Sequence, residues 1–576
     1  MHPLSSCAET PADFVRLLQW RAEQQPERLA YNFLDGRKLD GREVSYAQLD
    51  QQARAIGAAL LERGLEGQRA VLLFQPGLEY IFAIMGCWYA GVTAVPIYAP
   101  RLNASYDRVR LVVADAEARV MLATASVLAS FEGPEWDSLR QHGLQSLAVD
   151  DLAPGVEHAW RMPAVSPDTL AVLQYTSGST GKPKGVRLKH EHLITNSRMI
   201  ARAMHSSADS VGVVWLPPFH DMGLIGGILQ PLYAGFPIHL MAPATFLQRP
   251  MRWLEAITRF GGTISAAPNF AYELCAARAK PEQLEALDLR SWRVAANGAE
   301  PIRDDTMRRF SATFAPAGFD ARACLPCYGM AETTLLVSAA PCFTGVHSVR
   351  ASRAALGAGT LLACDDGDIT LVSSGVADPE LRVAIIDPYT SVPCAAGAVG
   401  EIWTSGATVA DGYWAKPEAT EETFRARLAG DAANWLRTGD LGALLDGQVY
   451  VTGRIKDLIV IRGQNHYPQD IEASALAAHP AIRPHGAAAF AIDGVDGEGL
   501  GLVIELDRNW QASDLGAATL AVREAIARGH QLQPSSLVFV RTNSIPKTSS
   551  GKVQRLLARA RLLAGDFDIL DAGVDA

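Results

Sequence analysis

Several stretches of the chain repeat one theme: an apolar strand, a polar loop and then a helix. LAVLQYTSGSTGKPKG opens the series, with a short strand GVRL before a helix at HEHLITNSRMIARAM. VGVVWLPPFHDMGLIGGILQPLYAG reads as a strand, a loop at His220 and Asp221, and a helix ended by Gly235. GGTISAAPNFAYELC, WRVAANGAEPIRDDTMRRF and CLPCYGMAETTLL have the same form. Strands alternating with helices predict a parallel α/β sheet. In such sheets ligands gather beyond the carboxyl ends of the strands. His220, Asn297, Glu300, Tyr328 and Glu332 all fall at those ends and are expected to converge on one cleft.

After Cys342 the texture changes. DITLVSSGV, LRVAIID, GEIWTSG and QVYVTGR are short strands with Gly and Asp turns, which predict a small β subdomain. From about Lys456 a separate α+β unit is expected, with strands DLIVIRG, GAAAFAI, GLVIEL and SLVFVRT. Its helices are expected near 469–478, 512–527 and 554–564. A chain of 576 residues exceeds a single core. The fold class read from this pattern is α/β: a large domain over 1–455, made of layered α/β subdomains plus the β subdomain, then a small α+β domain over 456–576.

Bulk properties remove some classes of protein. The net charge of −10 lacks the basic footprint of a nucleic-acid binder. The eight cysteines are scattered, as in a reduced cytoplasmic protein, and Cys324 and Cys327 form a lone CxxC without the second pair a zinc site needs. MHPLSSCAET has neither the basic nor the apolar region of a signal peptide. YIFAIMGCWYAGVTAVPIYAP, from Tyr80 to Pro100, is uncharged and reaches membrane-spanning length. Gly91 and Pro96 interrupt it, so a buried helix ending near Ala90 and a strand VTAVPI are expected, and no membrane span.

YTSGSTGKPKGV, from Tyr175 to Val186, concentrates backbone amides, hydroxyls and ammonium groups as a phosphate loop does. It is not the GxxxxGK[ST] loop of the nucleotide switches. Gly178 and Gly181 are too close, Pro183 follows Lys182, and the magnesium-holding hydroxyl is missing. The loop instead resembles that of the adenylate-forming superfamily of acyl-CoA synthetases, luciferases and adenylation domains. YGMAETT, LRTGD, GRIKDLIVIRG and PKTSSGK follow in that family's order and approximate spacing, so the resemblance spans nearly the whole chain. Within the family, PPFHDMGLIGG, APNFAYELC, NGAEPIR and RGQNHYPQDIE resemble the fatty acyl-AMP ligases. These make acyl-adenylates and pass the acyl group to a carrier-protein phosphopantetheine rather than efficiently to CoA. That subfamily also carries an insertion thought to restrain its small domain, here expected near 338–370.

The resemblance implies attack of a fatty carboxylate on the α-phosphorus of ATP, expelling pyrophosphate. Both reactants are anionic, so catalysis must supply positive charge and alignment. Thr176, Ser177, Gly178, Ser179, Thr180, Gly181 and Lys182 are expected around the pyrophosphate end. Lys552 is the expected catalytic residue, its ammonium reaching an α-phosphate oxygen; Lys547 is a weaker candidate. Glu332 is expected to hold Mg²⁺, a hard cation that takes oxygen ligands and keeps several waters. Asp440 is expected on the ribose hydroxyls with Arg454 beside it. Asn297, Gly298, Ala299 and Glu300 are expected to line adenine, with Tyr328 stacking on it and Gly329, Met330 and Ala331 in the same loop. His220 is expected near the fatty carboxylate, and Phe219, Ile225, Gly226 and Phe270 along the acyl pocket. Lys456 matches the family's hinge, so the resemblance implies that the small domain is mobile about it.

None of the cysteines has a nucleophile's local motif, and no carrier-protein serine motif follows the small domain. The accepting thiol is therefore expected on a partner, an acyl carrier protein or carrier domain, with CoA as the alternative and an acyl-CoA synthetase as the rival activity. An amino-acid adenylation domain would need an anion for the substrate ammonium. Asp221 is the candidate, but HDMG suits the acyl ligases better. A non-catalytic adenylate-binding scaffold is disfavoured because Lys552 and Glu332 are both present.

Overall fold

The computed structural model describes residues 11–35, 39–98, 106–131, 134–141, 143–176, 183–462, 464–494, 497–548 and 551–572. The chain divides into two compact units. The first holds residues 1–348, 372–383 and 404–437, and the second holds 349–371, 384–403 and 438–576.

Two sheets organise the first unit. One has nine strands, in the spatial order Val376–Ala377, Leu336–Ala339, Cys324–Gly329, Val294–Asn297, Ile264–Ala267, Gly212–Val214, Ile238–Met241, Leu29–Leu34 and Gly41–Ser45. Its interior is parallel and its two edges antiparallel. The other has six strands, in the order Gln145–Ala148, Val120–Ala123, Arg69–Phe74, Thr93–Tyr98, Leu170–Thr176 and Lys184–Lys189, antiparallel only at the last pair. The inner strands are short apolar runs such as VAAN, ISAA and RAVLLF, as strands covered on both faces must be.

The stretch of membrane-spanning length forms a buried helix Leu78–Tyr89 and the strand Thr93–Tyr98, with Gly91 at φ +64° between them. No helix among the described residues is long and apolar enough to cross a membrane.

His220 and Asp221 lead into a π-helix, Met222–Leu229, rather than the α-helix that the apolar pattern suggests. Gly223 admits no side chain, because a Cβ there would sit 2.0 Å from the Pro217 carbonyl oxygen. The wider turn also needs outside partners, and Tyr31 donates its hydroxyl hydrogen to Ile228 O at 2.8 Å. The following α-helix, Gln230–Ala234, ends on Gly235 at φ +82°. Arg21, 1% exposed, covers that end by donating to Leu232 O at 3.2 Å and Tyr233 O at 2.8 Å. A cation on the last carbonyls of a helix is favourable.

CLPCYGMAETTLL departs from the expected strand, loop and helix. A 3₁₀ turn Ala331–Thr333 follows the strand Cys324–Gly329, and the chain then returns antiparallel as Leu336–Ala339. The cause is a tight reversal at Thr334, where φ is 71° and ψ −64° and the Leu335 N–H donates to Thr333 O at 2.9 Å. This is the rare positive-φ γ-turn.

The second unit is built on a four-stranded sheet, Ile482–Gly494, Gly497–Leu506, Pro534–Val540 and Ile569–Ala572. Side chains alternate across it. Ala487, Ala489, Leu502 and Ile504 pack under helices Pro468–Ala478 and Ala512–His530, whereas Ala488, Phe490 and Val503 pack with Ala558 of helix Arg555–Ala564. Segment 349–371 belongs to this unit, where Ala351, Leu356 and Leu361 join a cluster with Leu441, Ala443, Tyr450 and Tyr467.

Candidate active site

In the first unit, the strand Leu170–Thr176 leads into the expected phosphate loop and Lys184–Lys189 follows it, with Thr176 opposite Lys184. Residues 177–182, which include the expected Ser177, Gly178, Ser179, Thr180, Gly181 and Lys182, lie outside the described residues. The stem beneath them is held firmly. Tyr175 donates its hydroxyl hydrogen to Asp115 Oδ2 at 2.7 Å, and Lys416 Nζ donates to Asp115 Oδ1 at 2.5 Å. Gln174 donates to Phe219 O at 2.9 Å, which joins this strand to the His220 loop.

Tyr80 also pins that loop, donating to Pro218 O at 2.8 Å. His220 Nδ1 lies 2.5 Å from Asp221 Oδ1, and the same carboxylate oxygen accepts from Met222 N at 2.7 Å. Asp221 thus caps the π-helix and orients the imidazole. Its carboxylate already has partners within the chain, which weakens the reading in which it meets a substrate ammonium. Ile225 is buried, and among the described residues a Cβ at Gly226 would meet only Leu335 Cδ2, at 3.6 Å. Leu335 directly follows the strained Thr334, so the π-helix and the Glu332 turn are neighbours.

Asn297 ends its strand fully buried. Its Nδ2 lies 3.4 Å from Asn269 Oδ1 and 3.0 Å from Met307 Sδ, and its Oδ1 has no partner among the described residues. Gly298 has to be glycine, because a Cβ would sit 2.8 Å from Cys327 Sγ. Ala299 adopts φ +70°, a left-handed conformation uncommon for a residue with a side chain. Glu300 accepts from Phe270 N at 2.5 Å, so the loop expected at adenine also caps the helix that starts the expected acyl wall. The Phe270 ring lies 6.0 Å from Trp215 in an aromatic cluster with Phe246 and Trp253.

Tyr328 sits opposite Ser338, and Gly329, Met330 and Ala331 lead to Glu332. The Glu332 side chain is over nine-tenths buried and its Oε1 accepts from the Tyr413 hydroxyl at 2.9 Å. Burial, and then the Glu332 charge, push the Tyr413 phenol well above its ordinary range, so it remains a donor. Lys184 Nζ lies 4.7 Å from the centre of the Tyr413 ring. One tyrosine therefore links the stem of the expected phosphate loop to the expected metal carboxylate. Asn196 fixes the turn from behind, accepting from Leu336 N at 3.1 Å and donating to Leu336 O at 3.1 Å, and Thr334 donates to Thr408 O at 2.8 Å. A residue held in such a conformation costs about 1–3 kcal/mol and persists only where its surroundings over-determine it. Sequence reasoning missed Tyr413 and Asn196. DGYW and HLITNS carry no pattern that separates a site residue from a core one, and both roles arise from contacts across the fold.

In the second unit, Asp440 is nearly buried and stands opposite Arg454 in an antiparallel ladder, accepting from Arg454 Nε at 2.9 Å. Lys456 lies exposed on the 3₁₀ turn Ile455–Asp457. Lys552 follows Gly551 at φ +88° in a hairpin closed by Thr548 N to Lys552 O at 2.8 Å, and its own amide donates to Thr548 Oγ1 at 3.0 Å. Lys547 is committed elsewhere: its Nζ donates to His485 O at 2.9 Å, and burial lowers its pKa.

The chain matches the AMP-binding enzyme family over residues 18–414 and the AMP domain of the Disco-interacting protein 2-like family over 456–570. It is 42% identical to the medium-chain-fatty-acid–acyl-carrier-protein ligase JamA of Moorena producens, over 97% of this chain and 96% of that protein. It is 36% identical to the long-chain-fatty-acid–AMP ligase FadD32 of Mycolicibacterium smegmatis, over 95% and 93%. The fatty acyl-adenylate ligase of Legionella pneumophila, solved with acyl adenylate and pyrophosphate, superposes with a TM-score of 0.75 at 37% identity, over 97% of both chains. The chain belongs to the AMP-binding enzyme family, and its relatives within that family are fatty-acid–AMP and fatty-acid–acyl-carrier-protein ligases.

Proposed function

We propose that the chain is a fatty acyl-AMP ligase. It joins a fatty carboxylate to the α-phosphorus of ATP with release of pyrophosphate, then passes the acyl group to the phosphopantetheine thiol of an acyl carrier protein or carrier domain. The observation that carries this reading is Glu332. It is a buried carboxylate on a strained turn at the carboxyl end of its strand, joined through Tyr413 to the stem of the phosphate loop. The end-to-end likeness to ligases named for a carrier-protein acceptor supports the second half of the reaction.

A fatty carboxylate is already ionised at neutral pH, so the first step needs alignment and charge rather than a base. His220, oriented by Asp221, sits at the carboxylate end of the acyl pocket. Because the Asn297 side chain faces inward, the backbone of Gly298 to Glu300 supplies the adenine contact, with Tyr328 on the base. Asp440 and Arg454 serve the ribose, and Lys552 stabilises the charge growing on the α-phosphate. Among the described residues no group of three or more His, Cys, Asp and Glu forms a metal cage. A single carboxylate beside phosphates still suits Mg²⁺, which is commonly bound through one or two carboxylates plus substrate phosphates. Glu332 would hold that ion, which would neutralise phosphate charge. The domain boundary at 455/456 and the pivot at Lys456 belong to this proposal, as does a restraining role for the segment near 338–370, supported by the packing of its Ala351, Leu356 and Leu361 with Leu441 and Tyr467. A cytoplasmic location is supported by the described cysteines, all seven of which are free.

The test is a product assay with purified protein, ATP, Mg²⁺, a fatty-acid series, and either CoA or a phosphopantetheinylated carrier. Acyl-AMP is expected to persist with CoA and to be consumed by the carrier. Rapid conversion to acyl-CoA would instead make the chain a CoA synthetase, and no adenylate with any fatty acid would remove the substrate assignment.

The room for no more than a small side chain at Gly226, beside Leu335, gives a second expectation. A Gly226→Trp side chain should fill the pocket and shift preference to shorter acids, lowering kcat/KM for the longest accepted chain about 10-fold or more. An unchanged chain-length profile would take Gly226 out of the acyl pocket.

A further inference from the structure

We propose that Arg555 is a positioning residue for Lys552, tying the lysine's hairpin to the turn beside Lys456 so that the two move as one piece; the inference rests on the functional reading above. Arg555 is the first residue of helix Arg555–Ala564 and lies three positions after Lys552. Its guanidinium makes a two-pronged bond to Glu472, Nε to Oε1 and Nη2 to Oε2, both at 2.7 Å. Its third nitrogen, Nη1, donates to Asp457 Oδ2 at 2.8 Å. Asp457 directly follows Lys456 on the turn Ile455–Asp457. Glu472 is itself anchored, since its Oε1 also accepts from the buried Ala489 N at 3.0 Å. The three side chains are largely buried, with exposures of 17% for Arg555, 21% for Asp457 and 10% for Glu472.

From Arg555 the constraint passes to the lysine through backbone. Gln554 N donates to Pro546 O at 2.9 Å, Val553 pairs with Lys547, and Thr548 N closes on Lys552 O at 2.8 Å. Lys547 fixes the other arm of the hairpin to His485 O. The hairpin thus has one tether to the sheet and one, through Arg555, to the turn at the pivot. A planar guanidinium can hold two carboxylates in fixed directions at once, whereas a lysine ammonium is a point charge on a flexible stem.

The proposal separates the two half-reactions. Adenylation needs Lys552 at a defined place, whereas thiol attack on the finished acyl-adenylate does not use it. Arg555→Lys is expected to lower the kcat of adenylation by about 100-fold, the scale of a misplacement of roughly 1 Å. KM for ATP and the rate of acyl transfer from supplied acyl-AMP to carrier should each stay within about 3-fold. Asp457→Asn leaves the Glu472 bond intact and covers the case in which Arg555→Lys does not fold; it should lower adenylation about 10-fold with the same sparing of transfer. Near-normal adenylation in both variants, or an equal fall in both half-reactions, would overturn the proposal. A wild-type protein that forms no acyl-AMP from any fatty acid would fail before any variant is compared, taking the functional reading down with the proposal.

Discussion

Lys552→Ala is expected to cut acyl-adenylate formation by about 10²–10³-fold, the usual loss when one donor to transition-state charge is removed. ATP affinity should change by less than about 3-fold, because the phosphate loop, Glu332 and Asp440 remain. The hairpin around Lys552 supports a narrow interpretation of that result. Its closure runs through Thr548 N to Lys552 O and Lys552 N to Thr548 Oγ1, groups that Lys552→Ala keeps. Lys547 offers the contrast. Its ammonium is a structural donor to His485 O, so Lys547→Ala is expected to lower stability by about 1 kcal/mol and, with the Arg555 tether still in place, to lower adenylation per folded molecule far less than Lys552→Ala does. Pyrophosphate release for both variants beside wild type decides the matter. Near-normal adenylation by Lys552→Ala would remove the catalytic assignment.

The largest stability effect should come from acid. Burial lowers His190, His239 and His530 from 6.5 to about 4. His190 is 1% exposed, edge-on to Trp88, with Asp13 pulling its pKa back up and Arg16 pushing it further down. His239 lies flat on Phe260, its ring centre 3.7 Å away. His530 shares a hydrogen bond with Ser474 at 2.8 Å. Between pH 6.5 and 4 the unfolded chain takes up protons that these native rings refuse. Stability is therefore fully present above about pH 6.5 and is lost as pH falls toward 4. A shift of this size in one histidine corresponds to about 3 kcal/mol, enough to matter against the marginal stability of a domain. Urea unfolding at pH 7, 5.5 and 4.5 should show a falling midpoint, with a shallower fall in His190→Gln. A midpoint independent of pH over that range would show that the rings protonate without leaving the fold.

The elements were legible wherever apolar period and breakers agreed. Leu78–Tyr89, Thr93–Tyr98 and the strand–helix pairs ending at Arg278 and Phe314 lie where their patterns put them, as do the strands and helices after Lys456. The exceptions share a cause. MGLIGGIL is apolar on every side, so its pattern cannot tell a 3.6-residue turn from a wider one; the choice rests on Gly223 against Pro217 and on Tyr31, nearly two hundred residues away. AETT looks like a helix start, but Asn196 and Thr408 hold Thr334 in a reversal that no local preference would select. Arg21 is a buried cation on a helix end, and nothing in LLQWRAEQ indicates a partner at Leu232 and Tyr233. The expected site residues Asn297 and Tyr328 stand at the ends of their strands, where the alternating pattern put them. A contact made across the fold, such as Tyr413 on Glu332, leaves no such pattern in the sequence.

The strand Leu29–Leu34 has consequences for how the chain emerges from the ribosome. Its parallel partner, Ile238–Met241, is roughly 200 residues downstream, and the carbonyls that Arg21 covers lie 211 positions away. At about 5–20 residues per second, the first hairpin waits roughly 10–40 s with one edge unpaired. Its antiparallel partner Gly41–Ser45 forms early and covers only the other edge. During that interval Tyr31 and its neighbours offer an open template to other nascent chains. Slower synthesis lengthens the exposure, so yield of native protein should depend on translation speed and chaperone supply before it depends on the stability of the finished fold.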